Sequence, residues 1–420
     1  MNLHSVKGTR DFYPEEMRMR NWLFDVWRNT ALQFGFEEYD ACVLEHAELY
    51  TRKAGDEITE QLYSFEDKSG RHLSLRPEMT PSLARMVLQH QKALSFPLKW
   101  FSVPQCFRYE RMTRGRRREH FQWNADIIGE SSEIAEAEIL SLLLTVCRNL
   151  GLTSKDICLF LNDRRILNEI LDSIGVPEQL HPNVMVIMDK RDKVSSDAFT
   201  ELLQQEEMAL SQITRLNEFL AIPTMEELAS KLGETKGLIS LRKIMALMTQ
   251  SGLGDFLKFD VSIVRGLSYY TGMIFEINDA DKAQRAICGG GRYDSLLSTY
   301  GGGSIPAVGF GFGDVVILDV LSDLKKLPSF ARRLDYLVVP FSADEIGMAL
   351  TISNQLRQKG KSVECDYSLK KVKKALQRAD ELNVEKVVML FPDELAAGKV
   401  VVREMQTRQQ KNVSIEELTS

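Results

Sequence analysis

"FRYERMTRGRRREHFQWNADIIGE", residues 107–130, carries six arginines (Arg108, Arg111, Arg114, Arg116, Arg117 and Arg118) in its first sixteen positions, in a 420-residue chain of formal net charge −6. Arg108 and Glu110 alternate with Phe107 and Tyr109, which predicts a strand with both polar side chains on one face. Gly115 lets the chain turn, Arg116 and Arg118 return to a common face, and "HFQWNADIIGE" reads as the second arm of a hairpin. Gln122 and Asp126, four apart on that arm, share a face and could bond a polar ring such as imidazole. The arginine run fits an RNA-binding patch, a phosphate clamp or a solvated basic turn. A glutamate next to an arginine could also accept from an exocyclic amine while the arginine pairs with phosphate oxygens.

Working outward, the length suggests two or three folding units. Apolar content of 44 % and charged content of 27 % suit a globular protein. The acidic balance argues against bulk coating of nucleic acid, although fields are local and a basic face is compatible with it. The start, "MNLHSVKGTRDFYPEEM", has no signal-peptide apolar run and is too acidic for a transit peptide. No stretch approaches the roughly 20 apolar residues of a membrane span, so a cytoplasmic protein without membrane contact is expected. Six cysteines lie far apart with no C-x-x-C pair, the histidines lack metal-ligand spacing, and no G-x-S-x-G is present. Reduced thiols and no protein-built metal site are therefore expected. His120 reads as a strand residue.

Residues 15–34 place Met17, Trp22, Leu23, Val26, Trp27 and Leu32 at near-helical spacing. "SSEIAEAEILSLLLTVCRNLG" opens with serines and acids and stops at Gly151, a marked helix. From about 165 to 255 the texture is helical with turn punctuation, and "LKFDVSIVRGLSYYTGMIFEIND" restores strand signals. After residue 330, "LDYLVVPF", "ADEIGMALTISNQLRQKG", "KSVECDYS", "LKKVKKALQRADELN" and "EKVVMLF" alternate strand and helix, the sign of a parallel α/β module. An antiparallel α+β body interrupted by helices thus precedes a small α/β module.

Three further stretches carry chemistry. In "RPEMTPS", Arg76, Glu78 and Thr80 alternate as on a strand, offering a carboxylate and a hydroxyl to an ammonium group. "SIVRGLSYYTGMIFE" sets Arg265 and the Tyr269–Tyr270 pair between strand-like runs. "CGGGRYD" lets backbone approach a ligand closely. It matches neither a P-loop nor a dinucleotide fingerprint, and "VGFGFGD", which imitates a glycine-rich phosphate loop, reads by its alternation as a strand packed closely on a neighbour. The Lys370, Lys371, Lys373 and Lys374 cluster is a solvated helix face or, with an RNA partner, a phosphate contact.

In chain order, these segments resemble the histidyl-tRNA synthetase family of class II aminoacyl-tRNA synthetases. "KGTRDFYPEE" looks like its N-terminal signature, "FRYER…GRRREHFQ" like its motif 2, and "VRGLSYYTG" and "GGGRYD" like its histidine-specific motifs. "LDYLVVPF…KVVMLF" looks like its anticodon-binding domain. The resemblance implies a six-stranded antiparallel catalytic sheet and an obligate homodimer. It implies a catalytic domain in two parts (1–165 and 256–328), a helical insertion (166–255) and an anticodon-binding domain (331–420). It implies ATP with Mg2+, L-histidine and the histidine tRNA as ligands. By position Glu78 and Thr80 would hold the α-amino group, and Gln122, Asp126 and Tyr270, with Tyr269 close by, the imidazole. Arg108 would grip the α-phosphate, Glu110 the adenine amine, and Arg116 and Arg118 the outer phosphates. Arg265 would stabilise the developing charge. The sequence departs from the family at three places. Val315 and Val316 stand where motif 3 has Glu-Arg, Cys42 where motif 1 has proline, and Ser268 where aspartate is usual. Arg114 or Arg117 is expected to replace the missing motif 3 cation. The alternative reading is a non-catalytic paralogue, a histidine-sensing regulatory subunit of ATP phosphoribosyltransferase.

Overall fold

The first predicted helix spans Pro14–Gln33 and buries Leu23, Phe24, Trp27, Thr30 and Ala31 on one stripe, while Leu32 falls outside the stripe and is exposed. The computed structural model describes residues 3–52, 56–191, 194–264, 270–280 and 285–420, and of residues 56–58 the backbone alone. Arg265, Ser268 and Tyr269 lie outside the described residues. One compact unit runs from Met19 to Leu327 and takes in the N-terminal segment up to Phe12. A second comprises Pro328–Ser420 with Tyr13–Arg18.

The strands of the first unit are, in chain order, β1 (Glu37–Glu38), β2 (Leu44–His46), β3 (Ser64–Glu66), β4 (His72–Leu75), β5 (Leu98–Ser102), β6 (Gln105–Phe107), β7 (Glu119–Ile128), β8 (Ile157–Asp163), β9 (Leu257–Phe259), β10 (Met273–Asp279), β11 (Cys288–Arg292) and β12 (Ala307–Gly313). Strands β2, β4 and β3 make a small separate sheet. In the main sheet β5, β7, β12, β11, β10 and β8 follow one another, each antiparallel to the next, and these are the six strands expected. Among the described residues this sheet also holds β1 and β9, parallel at its edges, and β6, which pairs with the start of β7. The aromatic stripe of Pro14–Gln33 packs on the sheet's core face. Trp27 stacks on Trp123 at 6.0 Å, and Trp123 meets Phe310 edge-on at 4.8 Å. Such pairs add roughly 0.5–1.5 kcal/mol each beyond their burial.

Between β8 and β9 the chain is helical, with six α-helices from Arg164–Ser173 to Lys236–Gln250 among the described residues. The turn punctuation expected there divides this region into short helices. Ser196–Gln205 and Leu210–Leu220 part at Glu207, whose φ is +63°. Met225–Leu232 and Lys236–Gln250 each begin on a threonine, Thr224 and Thr235, whose hydroxyl accepts a backbone N–H three residues on.

The second unit holds β13 (Leu334–Pro340), β14 (Val363–Cys365), β15 (Val384–Leu390), β16 (Lys399–Glu404) and β17 (Gln410–Ser414) in the order β14-β13-β15-β16-β17. The first three are parallel, as the alternating pattern predicts. Strands β16 and β17 are antiparallel, so the sheet is mixed rather than parallel. Its central strands are apolar on both faces: Val338 and Val388 pack with Ile352 and Leu356, Leu337 and Val387 with Ala375 and Ala379. Double burial explains their near-continuous apolar runs.

Candidate active site

Strand β7 sorts its residues by parity. Trp123, Ala125 and Ile127 enter the core, while His120, Gln122, Asn124 and Asp126 line a cavity of about 1400 Å³. A single small-molecule pocket is usually roughly 300–1,000 Å³, so this one has room for two substrates. The glycines of β12 are the counterpart of those side chains. Gly309 pairs with Asp126 and Gly313 with Gln122. A Cβ on Gly309 would sit 2.0 Å from Asp126 Oδ1, and one on Gly311 2.6 Å from Gln122 Nε2. "VGFGFG" is therefore glycine-rich because two polar side chains of β7 lie across its backbone. The "CGGG" glycines are mostly spent in the same way: a Cβ on Gly291 would meet Met273 O at 2.4 Å and Tyr270 Cδ1 at 2.9 Å. Gly289 is the one that lines the cavity.

Asp126 is buried and accepts a hydrogen bond from the Tyr293 hydroxyl. Burial pushes its pKa up to about 7 against the lowering effect of that hydroxyl. His120 is lowered to about 3, by burial first and then by Arg108 and Arg10, and so is neutral. Behind this wall Arg292 and Glu136 form a buried pair, Nη2 to Oε2 at 2.6 Å.

The arginine segment is a looser structure than two full strands. β6 ends at Phe107, so Arg108 and Glu110 lie beyond it. The arms are joined by Arg108 N donating to Arg118 O at 2.9 Å and by a lone bridge between Thr113 and Arg116. Gly115 turns with φ +73°. Arg108, Glu110, Arg116 and Arg117 line the cavity. Arg108 Nε donates to Pro77 O at 2.9 Å, and Arg116 Nε to Glu110 Oε2 at 2.7 Å. Arg118 does not share Arg116's face: its guanidinium stacks on Tyr109 at 3.9 Å, and its stem packs on Gly8. Arg114 pairs with Asp323 at 2.6 Å outside the cavity lining, whereas Arg117, the other expected substitute, lines it.

Glu78, Thr80 and Tyr270 reach the same cavity. Glu78 and Thr80 do so from a different backbone than expected. β4 stops at Leu75, Pro77 follows, and Thr80 opens the helix Thr80–His90 with Pro81 in its first turn. Arg76 points elsewhere, its buried guanidinium donating to Asp40 Oδ1 at 2.6 Å and Gln105 O at 3.0 Å. Reasoning from sequence missed Asn124, Glu276, Asn278 and Tyr293, all cavity residues. Period two would have found Asn124 between Gln122 and Asp126, and Glu276 with Asn278 in the apolar strand β10. Tyr293 lies within "CGGGRYD", where only the glycines drew notice. Val315 and Val316 line the cavity at the start of the helix Asp314–Asp323. Arg10, from "KGTRD", binds Glu119 at 2.7 Å and Asp314 at 3.0 Å, tying the N-terminal segment to β7 and to that helix.

The arrangement offers a carboxylate and hydroxyl, a polar slot ending in a buried carboxyl, and a cationic loop beside a second carboxylate. It can hold an amino acid next to a phosphorylated nucleotide. The family model described as histidyl-tRNA synthetase matches residues 8–313, and one described as anticodon binding domain matches residues 335–420. The chain is 42 % identical over 419 residues to the chloroplastic/mitochondrial histidine–tRNA ligase of Arabidopsis thaliana, covering 100 % of this chain and 86 % of that one. To the histidine–tRNA ligase of Opitutus terrae it is 41 % identical, covering 99 % and 96 %. The crystal structure of histidyl-tRNA synthetase from Nostoc sp. PCC 7120 shares the fold, with a TM-score of 0.83 at 23 % identity over 100 % of this chain and 99 % of that one. With family matches in order over nearly its whole length, this chain belongs to the histidyl-tRNA synthetase family.

Proposed function

We propose that this chain is a histidine–tRNA ligase, which joins L-histidine to ATP as histidyl-adenylate and then moves the histidyl group to the 3′ end of the histidine tRNA. The observation that carries the reading is the convergence of Gln122 and Asp126 with Arg108, Glu110 and Arg116 in one cavity. Glu78 and Thr80 hold the α-ammonium group. Gln122, Asp126 and Tyr270 hold the imidazole, with Tyr269 assigned beside them. A buried carboxyl braced by Tyr293 rejects side chains that leave it unpaired, which is how a polar pocket discriminates strongly. Glu110 accepts from the adenine amine, and Arg108 grips the α-phosphate.

In the first step a carboxylate oxygen of histidine bonds to the α-phosphorus. The bond from that phosphorus to the bridging oxygen breaks, and pyrophosphate leaves with the electron pair. In the second, a terminal ribose hydroxyl of the tRNA attacks the acyl carbon and AMP leaves. The protein contributes position and fixed positive charge, the main levers in phosphoryl transfer. The family resemblance assigns Arg265 to the charge that develops at phosphorus. Arg116, and not the stacked Arg118, faces the outer phosphates. Magnesium bound with the ATP phosphates would supply charge neutralisation there. Such an ion asks the protein for only one or two carboxylates, and among the described residues no group of three or more His, Cys, Asp or Glu is placed as a metal cage.

Residues 331–420 bind the anticodon stem-loop, in keeping with the match over 335–420. Residues 166–255 form the insertion, and the working form is a homodimer in the cytoplasm. Among the described residues no helix is long and apolar enough to cross a membrane. Histidine-dependent exchange of pyrophosphate into ATP tests the reading. Exchange with histidine and none with other amino acids is expected, and a folded protein without exchange overturns it.

A further inference from the structure

At the hairpin tip the cavity has an apolar wall and a cation from a third element. A Cβ on Gly115 would lie 3.2 Å from Val316 Cγ2 and 3.7 Å from Arg285 Cδ, so both side chains abut the turn. Gly115, Arg117, Arg285, Val315 and Val316 all line the cavity there. A polyphosphate tail reaching this end finds no cation in the first turn of the helix Asp314–Asp323. Asp314 itself is held by Arg10 at 3.0 Å and accepts from Phe121 N at 3.0 Å. Within the hairpin, Arg114 is paired with Asp323 and Arg118 stacks on Tyr109.

Arg285 arrives from the connection between β10 and β11, just ahead of "CGGGR", and is solvent-exposed. Its long stem already lies along the tip, and a guanidinium fork matches two phosphate oxygens at once. We propose that Arg285 binds the outer phosphates of ATP, supplying from the β10–β11 connection the positive charge that Val315 and Val316 do not. The inference rests on the ligase reading. It names a residue outside the arginine loop as part of the triphosphate subsite.

The test compares wild type with Arg285→Ala and Arg285→Lys in histidine-dependent pyrophosphate exchange, and measures ATP and AMP binding by calorimetry. Arg285→Ala is expected to raise the KM for ATP roughly tenfold or more and weaken ATP binding in step, with the lysine variant intermediate. The KM for histidine and the affinity for AMP should stay within about twofold, because neither ligand carries outer phosphates. Unchanged ATP binding in the alanine variant overturns the inference, and so does an equal loss for ATP and AMP, which marks a merely structural role. Wild type that binds ATP but shows no exchange overturns the ligase reading instead.

Discussion

Two walls of one cavity hold their charges by opposite means. At and beside β7 several charges are buried and braced by protein: Asp126 by Tyr293, Glu119 and Asp314 by Arg10, and Glu136 behind them by Arg292. Across the cavity, the hairpin carries arginines in partly solvated pairs or stacks, Arg116 on Glu110, Arg114 on Asp323 and Arg118 on Tyr109. The first wall is fixed before substrate arrives, as recognition of a small polar ring demands. The second is the more open to solvent, and its exposed pair Arg114–Asp323 is worth only about 0–1 kcal/mol, so it can exchange partners cheaply.

Stability should separate the walls first. Arg292→Met strands Glu136 in the interior and should cost about 3–5 kcal/mol in denaturant unfolding of the full chain. A loss under about 1 kcal/mol would show that this wall is no more rigid than the hairpin.

Next comes Asp126→Asn, expected to raise the KM for histidine roughly ten- to a hundredfold and leave that for ATP nearly alone. Its pH counterpart follows from the pKa of about 7. As pH falls through 7, Asp126 takes up a proton and accepts less well, so histidine KM should rise. Tyr293→Phe removes a group that lowers this pKa, so the rise should begin at higher pH. The same shift sets a sign for stability. Between about pH 4, where an unfolded aspartate releases its proton, and pH 7, the folded chain binds the extra proton, so this group makes stability fall as pH rises. A histidine KM profile unmoved by Tyr293→Phe would detach Asp126 from recognition.

Within the hairpin the contrast is finer. Arg116→Ala should raise the KM for ATP about tenfold, whereas Arg118→Ala should stay under roughly threefold, because only Arg116 lines the cavity. Equal effects would mean that the hairpin acts as a unit. Smallest of all, Arg114→Ala should change unfolding free energy by less than about 0.5 kcal/mol and leave the ATP KM unchanged.

Much of the fold was legible because strand parity and helix period are local properties. "EHFQWNADII" sorted its own faces, and the serine-to-glycine bounds of the helix after it held. Where reading failed, a local signal pointed to the wrong element. Arg76, Glu78 and Thr80 alternate as strand residues would, yet Pro77 interrupts and Pro81 starts a helix. Arg108 and Glu110 alternate too, but β6 ends one residue earlier, so parity no longer dictates their direction. Strands β16 and β17 return antiparallel where alternation of strand and helix suggested a parallel sheet throughout.

By itself the sequence determined the order of elements, the two architectures, the family resemblance and the polar face of β7. These depend on period, composition and motif order along the chain. Only the tertiary structure decided which groups meet across it. Tyr293 braces Asp126 from 167 residues away, Gly309 and Gly311 clear space for side chains of another strand, and Arg285 and Val316 converge on Gly115. Backbone sterics set period within a segment. Long-range strand pairing and burial set its neighbours, and so decide which of six arginines face the cavity.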